Sequence, residues 1–156
     1  MDEPGVASPR DRFLAFFMLV CGTGLIGLYW ALFFTTDLTL PDFVKAARAS
    51  CAAVSYLSFE RSFPAADGFV ALSLGASGVL LLRRRSLAIL FGLAGGGGLM
   101  FLALIDTLYN LENGLYGLGL RTGDLGLAAE ALINLACFGG AVFILRTLWA
   151  HPLRKS

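Results

Sequence analysis

Charged residues and the side chains of common catalytic sites are scarce in this sequence. Only 15% of its 156 residues are charged, and it has one histidine, His151. Its three cysteines, Cys21, Cys51 and Cys137, form no C-x-x-C pair. Haem ligation by paired histidines, a histidine-based zinc site and a dithiol redox centre therefore have no basis. We expect no cofactor and assign no residue as a metal ligand.

Sequence motifs for other chemistries are absent as well. No G-x-S-x-G nucleophile motif occurs, and the glycine run at residues 95–98 is not followed by the G-K-[ST] of a phosphate loop. A net charge of +1 with scattered arginines provides no basic face for nucleic acid. We therefore expect no nucleic-acid partner. The sequence leaves open whether the protein is an enzyme.

Apolar residues, in contrast, are abundant and arranged in long runs. They make up 57% of the chain, and the mean hydropathy is +0.75. A hydrocarbon core about 30 Å thick needs roughly 20 apolar residues in a helix, and runs of that length occupy residues 13–34, 64–82, 86–111 and 125–148. These runs, spans 1 to 4, predict an all-α integral membrane four-helix bundle with the lipid bilayer as its first partner. We assign residues 1–156 to this single domain.

The positions of the basic residues predict how the bundle is oriented. Lys and Arg are retained on the cytoplasmic side of short loops. Eight of the twelve fall at the N-terminus, between spans 2 and 3, or at the C-terminus: Arg10, Arg12, Arg83, Arg84, Arg85, Arg146, Arg154 and Lys155. Four spans bring these three places to one face. We expect both termini in the cytoplasm and a multi-pass protein of a cell membrane, of the bacterial inner-membrane kind.

One long connection, residues 35–63, separates spans 1 and 2 on the predicted outer side. Pro41 and Asp42 suit the first turn of a helix. The apolar side of that helix would contain Phe43, Val44, Ala47, Cys51 and Val54. This pattern predicts a short amphipathic helix on the outer membrane surface. It would act as a plain connector or as a lid over the bundle.

Small residues recur at helical spacing in all four spans. They are Gly24 and Gly27, then Ala71, Gly75 and Gly78, then Gly92, Gly95, Gly96, Gly97 and Gly98, and finally Gly139, Gly140 and Ala141. Glycine lets helix backbones approach closely where lipid supplies no hydrophobic drive for association. We favour close packing over a hinge or a ligand groove.

The most informative residues are acids and amides near the predicted outer ends of the spans. At about 1.5 Å per residue from the cytoplasmic arginines, Asp67 and Glu130 lie at the same depth, roughly 24 Å. Asp106 and Asn110 are four residues apart in span 3, as are Glu130 and Asn134 in span 4. Each pair therefore shares one helix face. We expect both faces to turn inward.

Structural roles compete with functional ones for these residues. Asp67 and Glu130 begin their helices, where the helix dipole stabilises negative charge. Asp106 ends its helix and needs a partner, for which Arg61 is the best candidate. Aromatic residues at the same level are typical of the membrane–water interface rather than of ligand contacts: Tyr29, Trp30, Tyr109 and Tyr116.

Two functions follow from these patterns. In the first, an outward-facing site binds a cation, a proton or a small amphiphile, because carboxylates inside a membrane are costly to keep. Its residues are Asp67, Asp106, Asn110, Glu130, Asn134 and Arg61. A variant is acid–base catalysis on a lipid-soluble substrate. In the second, the protein is an accessory or assembly subunit whose glycine faces receive partner helices or a second copy of itself.

Overall fold

The computed structural model describes residues 7–151, and every regular element in that range is helical. The elements are α1 (Pro9–Phe17), a π-helical segment (Met18–Gly24), α2 (Leu25–Thr35), α3 (Asp42–Ala46), α4 (Cys51–Glu60), α5 (Pro64–Leu82), α6 (Leu87–Glu112), α7 (Leu115–Thr122) and α8 (Leu125–Trp149). Four helical stretches are long and apolar enough to cross a membrane: Pro9–Thr35, Cys51–Leu82, Leu87–Glu112 and Leu125–Trp149. The prediction of a multi-pass helical membrane protein is confirmed.

The spans begin and end where local chemistry allows it. Pro64 occupies the first turn of α5, where its missing N–H needs no partner. Arg84, at φ 52°, adopts the left-handed conformation that lets the chain reverse between α5 and α6. Gly114 and Gly123, at φ 66° and 71°, provide the same conformation on either side of α7. Successive spans are therefore antiparallel.

The two ends of the bundle differ in chemistry. One end, which we call the arginine end, contains Arg10, Arg12, the 83–85 arginines and Arg146. The other, the loop end, contains residues 36–63 and α7. The cytoplasmic location of the arginine end stays a prediction, and Arg154 and Lys155 lie outside the described residues.

Glycines in α5 and α6 allow close contact between neighbouring spans. A Cβ built at Gly95 would lie 2.8 Å from Cγ of Leu74 on α5, and one at Gly98 would lie 2.9 Å from Cγ2 of Val70. Within the π-helical segment, the hydroxyl of Thr23 donates to the carbonyl of Ala71 at 2.8 Å. These contacts support close packing as the role of most of the predicted glycines, with Gly27, Gly97 and Gly139 as exceptions because nothing lies within 4 Å of their Cβ positions.

Gly95→Ala should therefore destabilise the protein, whereas Gly97→Ala should not. The new methyl group at residue 95 would displace Leu74 and press on its backbone nitrogen at 3.1 Å. Overpacking of this kind costs about 1–3 kcal/mol. Alanine at residue 97 meets open space and improves helix propensity by up to about 1 kcal/mol. The measurement is unfolding of both variants by SDS in bicelles. Equal midpoints of unfolding for the two variants would contradict the assigned packing.

The loop between spans 1 and 2 contains two helices, α3 and α4, where the sequence predicts one. The chain breaks between them because the side chain of Ser50 caps α4, accepting from the amide of Ala53 at 3.2 Å. Along α4 the buried residues are Ala53, Tyr56 and Glu60, while Cys51 and Val54 are exposed. The face that turns inward is thus not the predicted apolar one. It carries a tyrosine and a carboxylate to the bundle.

Candidate functional site

Three carboxylates from three helices meet at the loop end of the bundle. They are Glu60 at the end of α4, Asp106 in the last third of α6 and Glu130 in the second turn of α8. One oxygen from each lies within 4.8 Å of the other two. Glu60 is only 5% exposed, and neither Asp106 nor Glu130 is exposed. We call these three residues the carboxylate cluster.

Asn110 holds two members of the cluster together. Its Nδ2 donates to Oε1 of Glu130 at 2.9 Å and to Oδ1 of Asp106 at 3.2 Å. The same nitrogen lies 2.9 Å from the carbonyl oxygen of Asp106, one turn earlier in α6. The side chain is completely buried, yet its Oδ1 has no hydrogen-bond partner. A buried acceptor without a donor is unusual and costs free energy.

Two tyrosines orient the glutamates of the cluster. The hydroxyl of Tyr29, on α2, donates to Oε2 of Glu60 at 3.2 Å. The hydroxyl of Tyr56, on α4, donates to Oε2 of Glu130 at the same distance. Such outer hydrogen bonds fix the direction in which a carboxylate presents its other oxygen. Tyr29, which the sequence assigned to the interface belt, therefore contacts the site itself.

Asp67 and Asn134 flank the cluster. Asp67 accepts from the indole nitrogen of Trp30 at 2.8 Å. Asn134 interacts with the Asp106 carboxyl and donates to the hydroxyl of Tyr116 at 3.0 Å. Both residues are thus held by neutral side chains on neighbouring helices, Asp67 as an acceptor and Asn134 as a donor.

Arg61 does not pair with Asp106 as the sequence predicted. Within residues 7–151, the ion pairs of lysine and arginine are Lys45–Asp42 and Arg48–Asp37, and Nε2 of His151 lies 2.9 Å from Oδ1 of Asp11. Arg61 directly follows the last residue of α4, Glu60. Because the Glu60 side chain points into the bundle, that of Arg61 points away from it and is exposed. The Asp106 carboxylate instead accepts from the side-chain amide of Asn110.

The carboxylate cluster consequently has no protein cation beside it among the described residues. At an effective dielectric of 20, two unit charges 4.8 Å apart repel by about 3–4 kcal/mol. Three ionised carboxylates would repeat that cost for each pair. The arrangement therefore needs bound protons or a bound cation.

Of the residues chosen from the sequence, the structure brings together Asp106, Asn110, Glu130 and Asn134, with Asp67 beside them and Arg61 apart. Sequence reasoning missed Glu60 and Tyr56, the partner of Glu130, because both lie in a segment taken as an outer connector. Their spacing of four residues, with Ala53 one turn earlier, is the signal that would have found them.

The fold and the cluster define the class as a multi-pass helical membrane protein with grouped carboxylates between its helices. Comparison with protein-family models, with curated proteins and with solved structures gives no match.

Proposed function

We propose that this protein binds a divalent metal cation at the carboxylate cluster, within the loop end of the bundle. The observation that carries the proposal is the convergence of Glu60, Asp106 and Glu130 without a protein countercharge among the described residues. One divalent cation offsets most of the charge of the three carboxylates, whereas one proton neutralises only one of them. With the predicted orientation, the site faces the extracytoplasmic side.

The spacing of the oxygens suits a cation of moderate size. Ligand atoms within 4.8 Å of one another are no farther apart than two ligands on opposite sides of an ion with bonds of about 2.4 Å. Calcium forms bonds of this length, whereas magnesium needs about 2.1 Å and a more rigid octahedron. All the available donors are oxygens, which favours hard cations over zinc or copper.

Asn110 supports the proposal independently of the acids. Its unpartnered Oδ1 belongs to the same planar amide whose nitrogen contacts Asp106 and Glu130. Half a turn of that amide exchanges the positions of its oxygen and nitrogen. The oxygen would then face the cluster as a further neutral ligand of the cation. The nitrogen would give up its bonds to Asp106 and Glu130, whose oxygens would bind the cation instead.

The test is cation binding by the purified protein in phosphatidylcholine nanodiscs after treatment with EDTA. We expect Ca²⁺ or Mn²⁺ to raise the thermal unfolding midpoint, since a ligand at a hundred times its Kd stabilises by about 2.7 kcal/mol. Glu130→Gln should weaken the affinity at least about tenfold, in the range found when metal-site residues are changed. Asp42→Asn, which removes an exposed carboxylate, should leave it unchanged.

Asn110→Asp provides a second test that does not depend on losing a ligand. A fourth carboxylate should lower stability in EDTA and enlarge the stabilisation by the cation. A wild-type midpoint that is the same with and without every divalent cation would overturn the proposal. So would cation binding that is identical in the wild type, Glu130→Gln and Asn110→Asp.

A further inference from the structure

A cavity at the loop end differs from the carboxylate cluster in its electrostatic character. It has a volume of about 370 Å³ and lies where α2 ends against α4. Its lining residues are Phe33, Phe34, Thr35, Thr36, Asp37, Leu40, Arg48, Leu57 and Arg61. We call it the arginine groove. Its volume falls within the range of small-ligand pockets.

The walls and the rim of the arginine groove differ. Phe33 and Leu40 are buried members of the apolar cluster at the loop end, and Leu57 packs against them. The charged groups stand at the rim. Arg48 is neutralised by its ion pair with Asp37, and both are exposed. Arg61 has no carboxylate partner among residues 7–151, so the groove has one uncompensated positive charge beside an apolar wall.

We propose that the arginine groove binds an amphiphile with an anionic headgroup, either a phosphate or a carboxylate, and an acyl chain. The guanidinium of Arg61 would bind the headgroup, because its planar donors match two oxygens of either anion. The first carbons of the chain would lie against Leu57, Phe33 and Leu40. The hydroxyls of Thr35 and Thr36 already donate to carbonyls of α2, at 2.6 and 2.8 Å. Since each has a single proton, neither is available as a donor to the headgroup, and Arg61 is left to bind it.

This site is separate from the carboxylate cluster, although Glu60 and Arg61 are adjacent in sequence. Glu60 is buried and points into the bundle, whereas Arg61 is exposed at its margin. An anion would be repelled by the three carboxylates and attracted by the groove. The inference therefore does not depend on cation binding.

The experiment is native mass spectrometry of the protein in phosphatidylcholine nanodiscs, titrated with phosphatidylglycerol in one arm and with oleate in the other. We expect one bound anionic lipid that Arg61→Gln weakens about tenfold, the loss of one charge-assisted contact. Arg61→Lys should retain part of the affinity. Arg121→Gln, which changes an exposed arginine of α7 outside the groove, should behave as the wild type.

The two arms separate a membrane phospholipid from a free fatty acid as the source of the anion. Selective binding in either arm, lost in Arg61→Gln, supports the proposal. Equal retention of phosphatidylglycerol, oleate and phosphatidylcholine by the wild type would overturn it. An equal loss in Arg61→Gln and Arg121→Gln would also overturn it, because it would indicate general charge attraction.

Discussion

Asn110→Leu should lower the free energy of unfolding by about 2–4 kcal/mol in a buffer free of divalent cations, because two buried carboxyl groups lose a donor at about 1–3 kcal/mol each. Leucine is close to asparagine in size, so the cavity at this completely buried position changes little. What is lost is the amide nitrogen that donates to both Asp106 and Glu130. Their carboxylates would then face each other and Glu60 without a shared donor.

The measurement is SDS-induced unfolding in bicelles with EDTA present. Asn113→Leu is the matched control, because its amide is exposed and bonds only the carbonyl of Tyr109 in its own helix. Adding Glu130→Gln to Asn110→Leu should recover part of the loss, since one of the unsatisfied charges is removed. Equal stabilities of the Asn110→Leu and Asn113→Leu variants, or strict additivity in the double variant, would show that Asn110 does not hold the cluster together.

The membrane spans were the most predictable part of the fold. A helix in lipid must satisfy its own backbone hydrogen bonds, so apolar length alone indicates where one can form. The predicted span 64–82 coincides with α5, because Pro64 and the arginines at 83–85 mark its limits, although the apolar helical stretch that contains it begins at Cys51. Span 1 was predicted as residues 13–34, whereas the helix starts at Pro9 with Ser8 as its cap. Polar first turns extend a helix beyond its apolar run.

The candidate site was predictable only where its residues share a helix. The spacing of Asp106 and Asn110 places both on one face, whatever their neighbours do. Glu60 instead reaches the cluster because α4 packs on the bundle; its spacing from Tyr56 marks a shared helix face but does not indicate what that face contacts. The predicted pairing of Arg61 with Asp106 was wrong. Arg61 directly follows Glu60, and adjacent residues of a helix point in different directions. The roles of partner subunits and of a second copy stay predictions.

Asp124 links the loop helices to the bundle and was not chosen from the sequence. It is 4% exposed and caps α8, its Oδ1 accepting from the amides of Gly126 and Leu127 at 2.9 and 3.3 Å. Its Oδ2 accepts from the amides of Asp42 and Phe43, at the start of α3, at 2.8 and 3.4 Å. One carboxylate thus satisfies the first amides of two helices that are distant in sequence.

Asp124→Ala should therefore lower the free energy of unfolding by about 2–4 kcal/mol, more than the loss of an ordinary helix cap. A missing cap costs about 0.5–2 kcal/mol, and the part-buried amides of Asp42 and Phe43 add a penalty for unpaired donors of up to about 1–3 kcal/mol. Water cannot readily replace the carboxylate, because a Cβ at Gly126 would lie 2.8 Å from Cα of Pro41. The two helix starts are in backbone contact there.

Asp42→Ala is the control for Asp124→Ala, because it removes a neighbouring carboxylate that forms only an exposed ion pair with Lys45. Exposed pairs contribute about 0–1 kcal/mol, so this variant should unfold close to the wild type. Hydrogen exchange locates the effect: in Asp124→Ala, amides at the starts of α3 and α8 should exchange faster, and those in the middle of α6 should not. Unchanged exchange rates of the Asp42 and Phe43 amides would mean that the loop is held by its apolar contacts, mainly those of Val44, rather than by Asp124.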